Sequence, residues 1–321
     1  MMTERIDMSE KTATREAYGK ALVEFAKTYD FVVLDADLAE ATKTGMFKKE
    51  YPDRFFDCGI AEGNMISVAA GLAAAGKTVF ASSFAMFAAG RAFEQVRNSV
   101  GYPHLNVKIG ATHAGITVGE DGATHQCLED IALMRTIPGM TVVCPSDAIE
   151  ARAAVEAAIK TYGPFYLRFG RFAVENVNDR PDYRFELGKG VLMRDGTDVT
   201  IIATGIMVGI ALEAAKLLEN ENISAKVINI HTIKPIDREI IIKAAKQTGA
   251  IVTAEEHNII GGLGSAVAEV VCENCPVPVL RVGIEDRFGQ SGAVLPLLNE
   301  YGLTVENIVA KAKLAKKLSK S

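Results

Sequence analysis

A carboxylate at the start of an apolar helix, and a loop crowded with imidazoles and acids, are the two places where this sequence could do chemistry. Glu62 lies in FFDCGIAEGNMISVAAGLAAAG, residues 55–76, flanked by Gly59, Ile60, Ala61 and Gly63, with no basic residue beside it. A first-turn glutamate often does no more than complement the helix dipole. In an apolar setting, however, a carboxyl holds its proton more tightly and can share it. The loop ATHAGITVGEDGATHQ, residues 111–126, presents His113, Glu120, Asp121 and His125, while Gly115, Gly119 and Gly122 let the backbone turn sharply. Neutral imidazoles beside carboxylates suit hydrogen bonding to a hydroxylated or carbonyl substrate. A metal site fits less well, because His113 and His125 lie twelve positions apart with no HxH or HxxxH spacing.

Other residues could serve the same site. Phe84 and Phe87, in ASSFAMFAAG, follow a strand-like run, where flat rings either fill the core or stack on a heteroaromatic ligand. Arg168 and Arg171, in FYLRFGR, lie where a strand gives way to a turn. Open α/β sheets bind ligands at that end of their strands, and arginine's fork suits a phosphate, although either residue could be an ordinary surface charge. Gly261, Gly262 and Gly264, in EEHNIIGGLGSAV, lack GxGxxG spacing and are explained by tight strand-to-helix packing. Cys272 and Cys275 form one CENC pair without a second pair at ligand spacing, which argues against zinc or redox chemistry. There is no Walker motif, no dinucleotide fingerprint and no GDG segment followed by an Asn, so nothing in the sequence would cradle a diphosphate and its Mg2+.

These groups need a scaffold, and the pattern of the chain supplies one. Hydrophobic residues make up 49% and charged residues 23% of the 321, enough for two domains with their own cores. Lys+Arg 35 against Asp+Glu 40 leaves a net charge of -5, which argues against nucleic acid or an anionic membrane as partner. An anionic substrate must then be held by a few local basic groups. The opening MMTERIDMSEKTATREAYG has no apolar signal core and no run reaches the length of a membrane span. Five cysteines, an odd count in core-like or helical elements, fit a reducing compartment, so the expected location is cytoplasmic.

Strand-like runs alternate with amphipathic helices: helix 13–28, strand FVVLDAD, helix 61–75, strand KTVFASS, helix 88–100, strand NVKIGA, helix 127–136, strand MTVVCP, helix 147–160 and strand FYLRF. Asp147 with Glu150 three residues on has the form of a capping box. After the polar VENVNDRPDYRFELGKG the alternation resumes with strand DVTIIATG, helix 206–219, strand SAKVINI, helix 237–248, strand AIVTAEE, helix 262–272, strand PVLRVG and a Lys-rich helix. The expected fold class is α/β, two consecutive domains each with a mainly parallel sheet flanked by helices. The expected boundaries are 1–174, a linker at 175–190, and 191–321.

Three stretches, GIAEGNMIS, SSFAMFAAGRAFEQVRNS and THAGITVGEDGATHQCLEDIALMRTIPGMTVVCPSD, resemble the transketolase family, and the likeness spans about residues 12 to 315. It covers the pyrimidine-binding domain, with its thiamine diphosphate-binding fold, followed by the transketolase C-terminal domain. The resemblance implies one subunit of a transketolase split into two polypeptides, in an α2β2 assembly with an N-terminal subunit that binds most of the Mg2+ and the diphosphate of thiamine diphosphate. It implies that Glu62 hydrogen-bonds the aminopyrimidine, that Phe84 and Phe87 wall it, and that Asp37 lies near the cofactor. His113, Asp121 and His125 would bind and orient sugar hydroxyls, the two histidines with Glu62 forming the catalytic set, and Arg15 and Arg168 would hold the phosphate of sugar phosphates. Where many family members carry a serine for that phosphate, this sequence has Ala41, with Thr42 beside it.

Three other readings share some of these features. The beta subunit of a 2-oxoacid dehydrogenase's decarboxylating component has the helix-start glutamate, but not the sugar-binding look of GEDGATHQ. Half of a deoxyxylulose-phosphate synthase has a similar loop. A silent scaffold subunit would have little reason to keep Glu62, His113, Asp121 and His125 together.

Overall fold

The computed structural model describes residues 11–319. Numbered along the chain, the strands are β1 (Thr12–Ala13), β2 (Val32–Asp35), β3 (Phe55–Asp57), β4 (Val79–Phe84), β5 (Val107–Thr112), β6 (Thr141–Val143) and β7 (Phe165–Arg168). They continue as β8 (Ala173–Val174), β9 (Val191–Arg194), β10 (Val199–Ala203), β11 (Ala225–Asn229), β12 (Thr232–Lys234), β13 (Ile251–Asn258) and β14 (Val279–Ile284).

Among the described residues these strands form two large sheets and one ribbon. The first sheet runs β12-β6-β7-β5-β4-β2-β3, parallel except for β12, and the second runs β14-β13-β10-β11-β9, parallel except for β9. The ribbon pairs β1 with β8. This is the α/β architecture that the alternation implies. Every residue of β4 and β5 is buried, the polar Ser82, Ser83, Lys108 and Thr112 included, as expected of strands covered on both faces.

Tyr18, Leu22, Phe31, Phe80 and Phe169 pack on one face of the first sheet. On the other face, Met65, Ile66, Ile109 and Ile131 form a core that continues through Ile202, Ile228, Leu263 and Val267 of the second domain. The two domains therefore share apolar packing. They also interlock, because β12 lies beyond residues 175–190 in the chain yet supplies an edge strand to the first sheet. Asn178 is buried in that intervening segment, where its backbone N–H donates to Asp147 at 2.7 Å. Asp147 also caps the helix Ala148–Lys160 by accepting from the Glu150 N–H at 2.8 Å. The Glu150 carboxylate completes no reciprocal box; it turns to the Ser146 N–H and hydroxyl at 2.7 and 2.8 Å.

The helix Glu62–Ala74 buries Met65, Ile66, Ala69, Ala70 and Ala73, a stripe at three- and four-residue spacing, and carries Glu62 at its first position. The helix expected at 88–100 begins instead at Met86 and is not one α-helix. Wide π turns at Met86–Arg91 and Val96–Gly101 flank Phe93–Gln95, so its side chains are not where a 3.6-residue period would put them. The short elements at Ala39–Thr42, Gly45–Glu50, β3, β9 and β12 fall where no element is predicted, each too brief to show a period. No helix among the described residues is long and apolar enough to cross a membrane.

Candidate active site

Glu62 is 1% exposed, at the amino end of its helix, where the backbone N–H groups favour negative charge. It is not isolated, as its sequence neighbours suggest. Arg91, from the first π turn, donates to Glu62 Oε2 at 2.8 Å while its own side chain is 52% exposed. The same guanidinium lies 4.5 Å over the Phe87 ring. The expected environment of Glu62 is corrected accordingly: a carboxylate paired with a cation, buried at one side of an aromatic wall. The π turn carries both Phe87 and Arg91, so one irregular turn builds the wall and the counter-ion together.

Phe84 and Phe87 stack at 5.7 Å with their planes 16° apart. Phe84 also stacks on His113 at 3.8 Å, and the His125 ring stands edge-on to Phe87 at 5.3 Å. The aromatic wall and the histidine loop are therefore one continuous surface. His113 is buried, at a φ of 56°, immediately after the end of β5. Arg15 approaches His113 Nε2 with Nη1 at 3.0 Å, and Thr112 Oγ1 lies 2.9 Å from Nδ1. A guanidinium can only donate, so Nε2 carries the lone pair and Nδ1 the hydrogen, which it donates to Thr112. Burial, then the charges of Arg15 and Arg171, push His113 down to about 3, so its ring is neutral in ordinary buffers. Both of its nitrogens are occupied, which makes it an orienting group rather than a free base. His125 is half-buried, with Nδ1 at 2.9 Å from Thr124 Oγ1, and among the described residues no hydrogen-bond partner meets its Nε2.

Arg15 also donates to the Ala41 carbonyl at 2.8 Å. Burial, and then the charge of Arg171, lower the proton affinity of Arg15. Arg171 donates to the Val118 carbonyl at 2.7 Å and reaches Asp121 at 3.4 Å. Asp121 is exposed at the loop tip. Asp37 is exposed beyond β2 at a φ of 61°, and its N–H donates to Asp57 Oδ1, which also accepts from the Gly59 N–H leading into the Glu62 helix.

Arg168 is elsewhere. It is 4% exposed, donates to Asp130 Oδ2 at 2.8 Å, and reaches the backbone oxygens of Glu256 and Cys127 at 3.0 and 3.4 Å. A phosphate would have to displace a buried carboxylate to reach it, and its contacts join the two domains. Burial works to raise the Asp130 carboxyl, but the Arg168 guanidinium overrides it and holds Asp130 below the usual range. Thr42 does not replace the absent serine hydroxyl either, because its own hydroxyl donates inward to Asp35 Oδ2 at 2.7 Å.

Gly262 and Gly264 have a specific partner. Glu255 accepts from the Leu263 and Gly264 N–H groups at 2.6 and 2.7 Å, capping the helix Leu263–Asn274, and a Cβ at Gly262 would overlap that carboxylate. Burial pushes Glu255 up to about 7, from 4.5. The folded chain then favours the neutral acid, so this residue costs nothing below about pH 4.5 and destabilises progressively as pH rises to about 7. Urea unfolding should show Glu255→Gln gaining on the wild type across that window; a stability gap that stays constant with pH would contradict it. No group of three or more metal-ligating side chains converges among the described residues, and Cys272 and Cys275 are free thiols.

Comparison with known proteins identifies the two domains. The family model for the transketolase pyrimidine binding domain matches residues 10–176, and that for the transketolase C-terminal domain matches residues 188–308. The chain belongs to the transketolase family. It is 52% identical over 300 residues to a putative transketolase C-terminal section of Methanocaldococcus jannaschii, covering 92% of this chain and 94% of that one. It is 48% identical to a 6-deoxy-6-sulfo-D-fructose transketolase subunit of a Clostridium species, covering 93% and 92%. A solved split-gene transketolase, described as an inactive beta4 tetramer, superposes with a TM-score of 0.88 at 54% identity, covering 97% of this chain and 100% of that one. The domains present are those whose family relatives imply thiamine diphosphate dependence.

Proposed function

We propose that this chain is the C-terminal subunit of a transketolase that passes a two-carbon ketol unit from a ketose phosphate to an aldose phosphate, assembled as α2β2 with an N-terminal subunit in the cytoplasm. The observation that carries the reading is the continuity of the surface. Arg91, paired with Glu62, lies over Phe87; Phe87 meets His125; Phe84 meets His113; and His113 meets Arg15. A ring-binding wall, hydroxyl-binding imidazoles and guanidiniums follow one another, an order that suits a planar cofactor ring, a polyol and an anionic terminus.

Thiamine diphosphate fits this chain in part. The Glu62 carboxylate and the stacked phenylalanines suit its aminopyrimidine, with Oε1 as the acceptor, since Oε2 is taken by Arg91. Its diphosphate and Mg2+ find no counterpart, because no metal-ligating cluster exists among the described residues and Arg15 and Arg171 stand beside the sugar loop. That half belongs to the partner subunit. When bound, the cofactor supplies the nucleophilic carbon, and the protein positions the reactants and handles protons. Glu62 holds or shares the proton at the pyrimidine nitrogen. His125 Nε2 receives a sugar hydroxyl proton, and His113, with both nitrogens engaged, holds Arg15 and the Phe84 ring in place beside it. Asp121 accepts from a hydroxyl while keeping Arg171 in place.

With Arg168 locked away, Arg171 and Arg15 take the anionic end. Arg171→Ala should raise the KM for xylulose 5-phosphate with little effect on kcat, by a charge-assisted hydrogen bond of about 1.5–3 kcal/mol, or roughly 10- to 150-fold. Hydroxypyruvate, which has no phosphate, should be used almost as well as by the wild type. Equal impairment of both donors would remove Arg171 from phosphate binding. A sulfonate terminus is the second reading, favoured by the missing hydroxyl at Ala41 and the inward turn of Thr42. A lower KM for a 6-sulfo ketose than for its phosphate counterpart would select it.

A further inference from the structure

The loop that carries Asp121 and His125 follows β5 and is closed at its base by a bridge between Ala114 and Cys127, where the Gly115 N–H meets the Cys127 carbonyl at 3.0 Å. Between those points much of its anchorage comes from the second domain. The Glu256 carboxylate, fully buried at the end of β13, accepts from the Thr117 N–H at 2.7 Å. Gly115, at a φ of 85°, lies against that carboxylate, where a Cβ would overlap it. The Gln126 amide donates to the Ile116 and Gly119 carbonyls inside the loop and to the Gln290 carbonyl across the domain boundary, at 3.2, 3.2 and 2.9 Å. Ser291 donates its hydroxyl to the Glu120 carbonyl at 2.6 Å, next to Asp121. Glu256 is itself fixed: its carbonyl accepts from Arg168 at 3.0 Å, and two residues on the Asn258 N–H donates to the Leu128 carbonyl at 2.8 Å.

We propose that the second domain is the mount of the sugar-recognition loop, with Glu256 as its principal positioning residue and Ser291 as the stay at the loop's tip. Glu256 is too deeply buried to meet a sugar and acts only through Thr117. Its carboxylate spares the Thr117 N–H the cost of burial without a partner, and the three-glycine loop, whose buried Ile116 packs in the second domain's core, takes its shape from these contacts. The second domain thereby sets donor recognition without touching the donor. The assignment of the loop to a sugar rests on the transketolase reading; the tether itself does not.

Two measurements test the proposal. In amide hydrogen–deuterium exchange of the full chain, Glu256→Ala should speed exchange across residues 115–126 by on the order of tenfold or more while β4 and β10 stay protected. Glu256→Gln, whose amide oxygen can still accept from Thr117, should remain close to the wild type. In the enzyme reconstituted with its N-terminal subunit, Glu256→Ala should lower kcat/KM for ketose donors by about 10²-fold, as a displaced positioning element does. Thiamine diphosphate affinity should be unchanged, and Glu256→Gln should restore most of the loss. Unchanged loop exchange in Glu256→Ala would overturn the proposal, as would a loosened loop with wild-type kcat/KM. If Glu256→Ala does not fold, Ser291→Ala removes only an exposed hydroxyl and should still loosen residues 119–122; no change there would also overturn it. Absence of ketol transfer by the wild-type assembly would defeat the functional reading alone, because the exchange experiment does not depend on it.

Discussion

Glu62→Gln in the assembled enzyme is expected to lower kcat by about two to four orders of magnitude, the usual contribution of a positioned proton-sharing group. The amide is close in size to the carboxylate, so the helix Glu62–Ala74 and the core beneath it should be kept. What is lost is the charge that Arg91 balances at 2.8 Å, together with the ability to hold a proton at the pyrimidine nitrogen. Arg91 is half-exposed and can turn to solvent, so stability should change little. The direct readout is exchange of the thiazolium C2 proton with solvent deuterium in the loaded assembly, accompanied by the thermal midpoint of the chain alone. Exchange as fast as in the wild type, with a normal midpoint, would mean that Glu62 is only a helix-end carboxylate paired with Arg91.

Arg168→Ala should fail in a different way. Its guanidinium is 4% exposed and neutralises Asp130, which is fully buried and also accepts from the Tyr166 hydroxyl at 2.8 Å. Removing one partner of a buried ion pair leaves the other charge uncompensated, at a cost of about 3–5 kcal/mol. The lost hydrogen bonds to the Cys127 and Glu256 carbonyls would add to this, because they pin the second domain to the base of the histidine loop. The urea midpoint should fall steeply, and any activity that survives at low temperature should show a KM for sugar phosphates close to the wild type. Wild-type stability with a raised KM would instead put Arg168 in contact with substrate.

The contrast between Arg168 and Arg171 shows where reading the sequence reached its limit. Arg168 ends β7 and Arg171 follows it three positions on, and no local pattern says which turns inward. The choice is made by Asp130, which lies 38 residues away in sequence from Arg168 and reads as an ordinary first-turn acid. Glu62 is a similar case. Its neighbours suggested an isolated carboxyl, whereas Arg91 arrives from 29 residues further on, carried by a π turn that a 3.6-residue period cannot anticipate. Strong local patterns were legible: the buried strands β2, β4, β5 and β10, the long helices, and the clustering of His113, Asp121 and His125. The short elements Ala39–Thr42, β3, β9 and β12 were not, although β12 stitches the second half of the chain into the first sheet. Glu256 escaped notice because EEHN looks like the end of a core strand, and only the fold brings it to Thr117.

A chain that contributes half of a ketol-transferring site is assayed by formation of sedoheptulose 7-phosphate from xylulose 5-phosphate and ribose 5-phosphate. With thiamine diphosphate and Mg2+ supplied, the purified chain alone should form no product, the N-terminal subunit alone should form none, and the mixture should turn over. Pyruvate offered in place of xylulose 5-phosphate should give no decarboxylation. Robust turnover by the single chain would contradict the account, and so would a mixture that decarboxylates pyruvate while leaving xylulose 5-phosphate untouched.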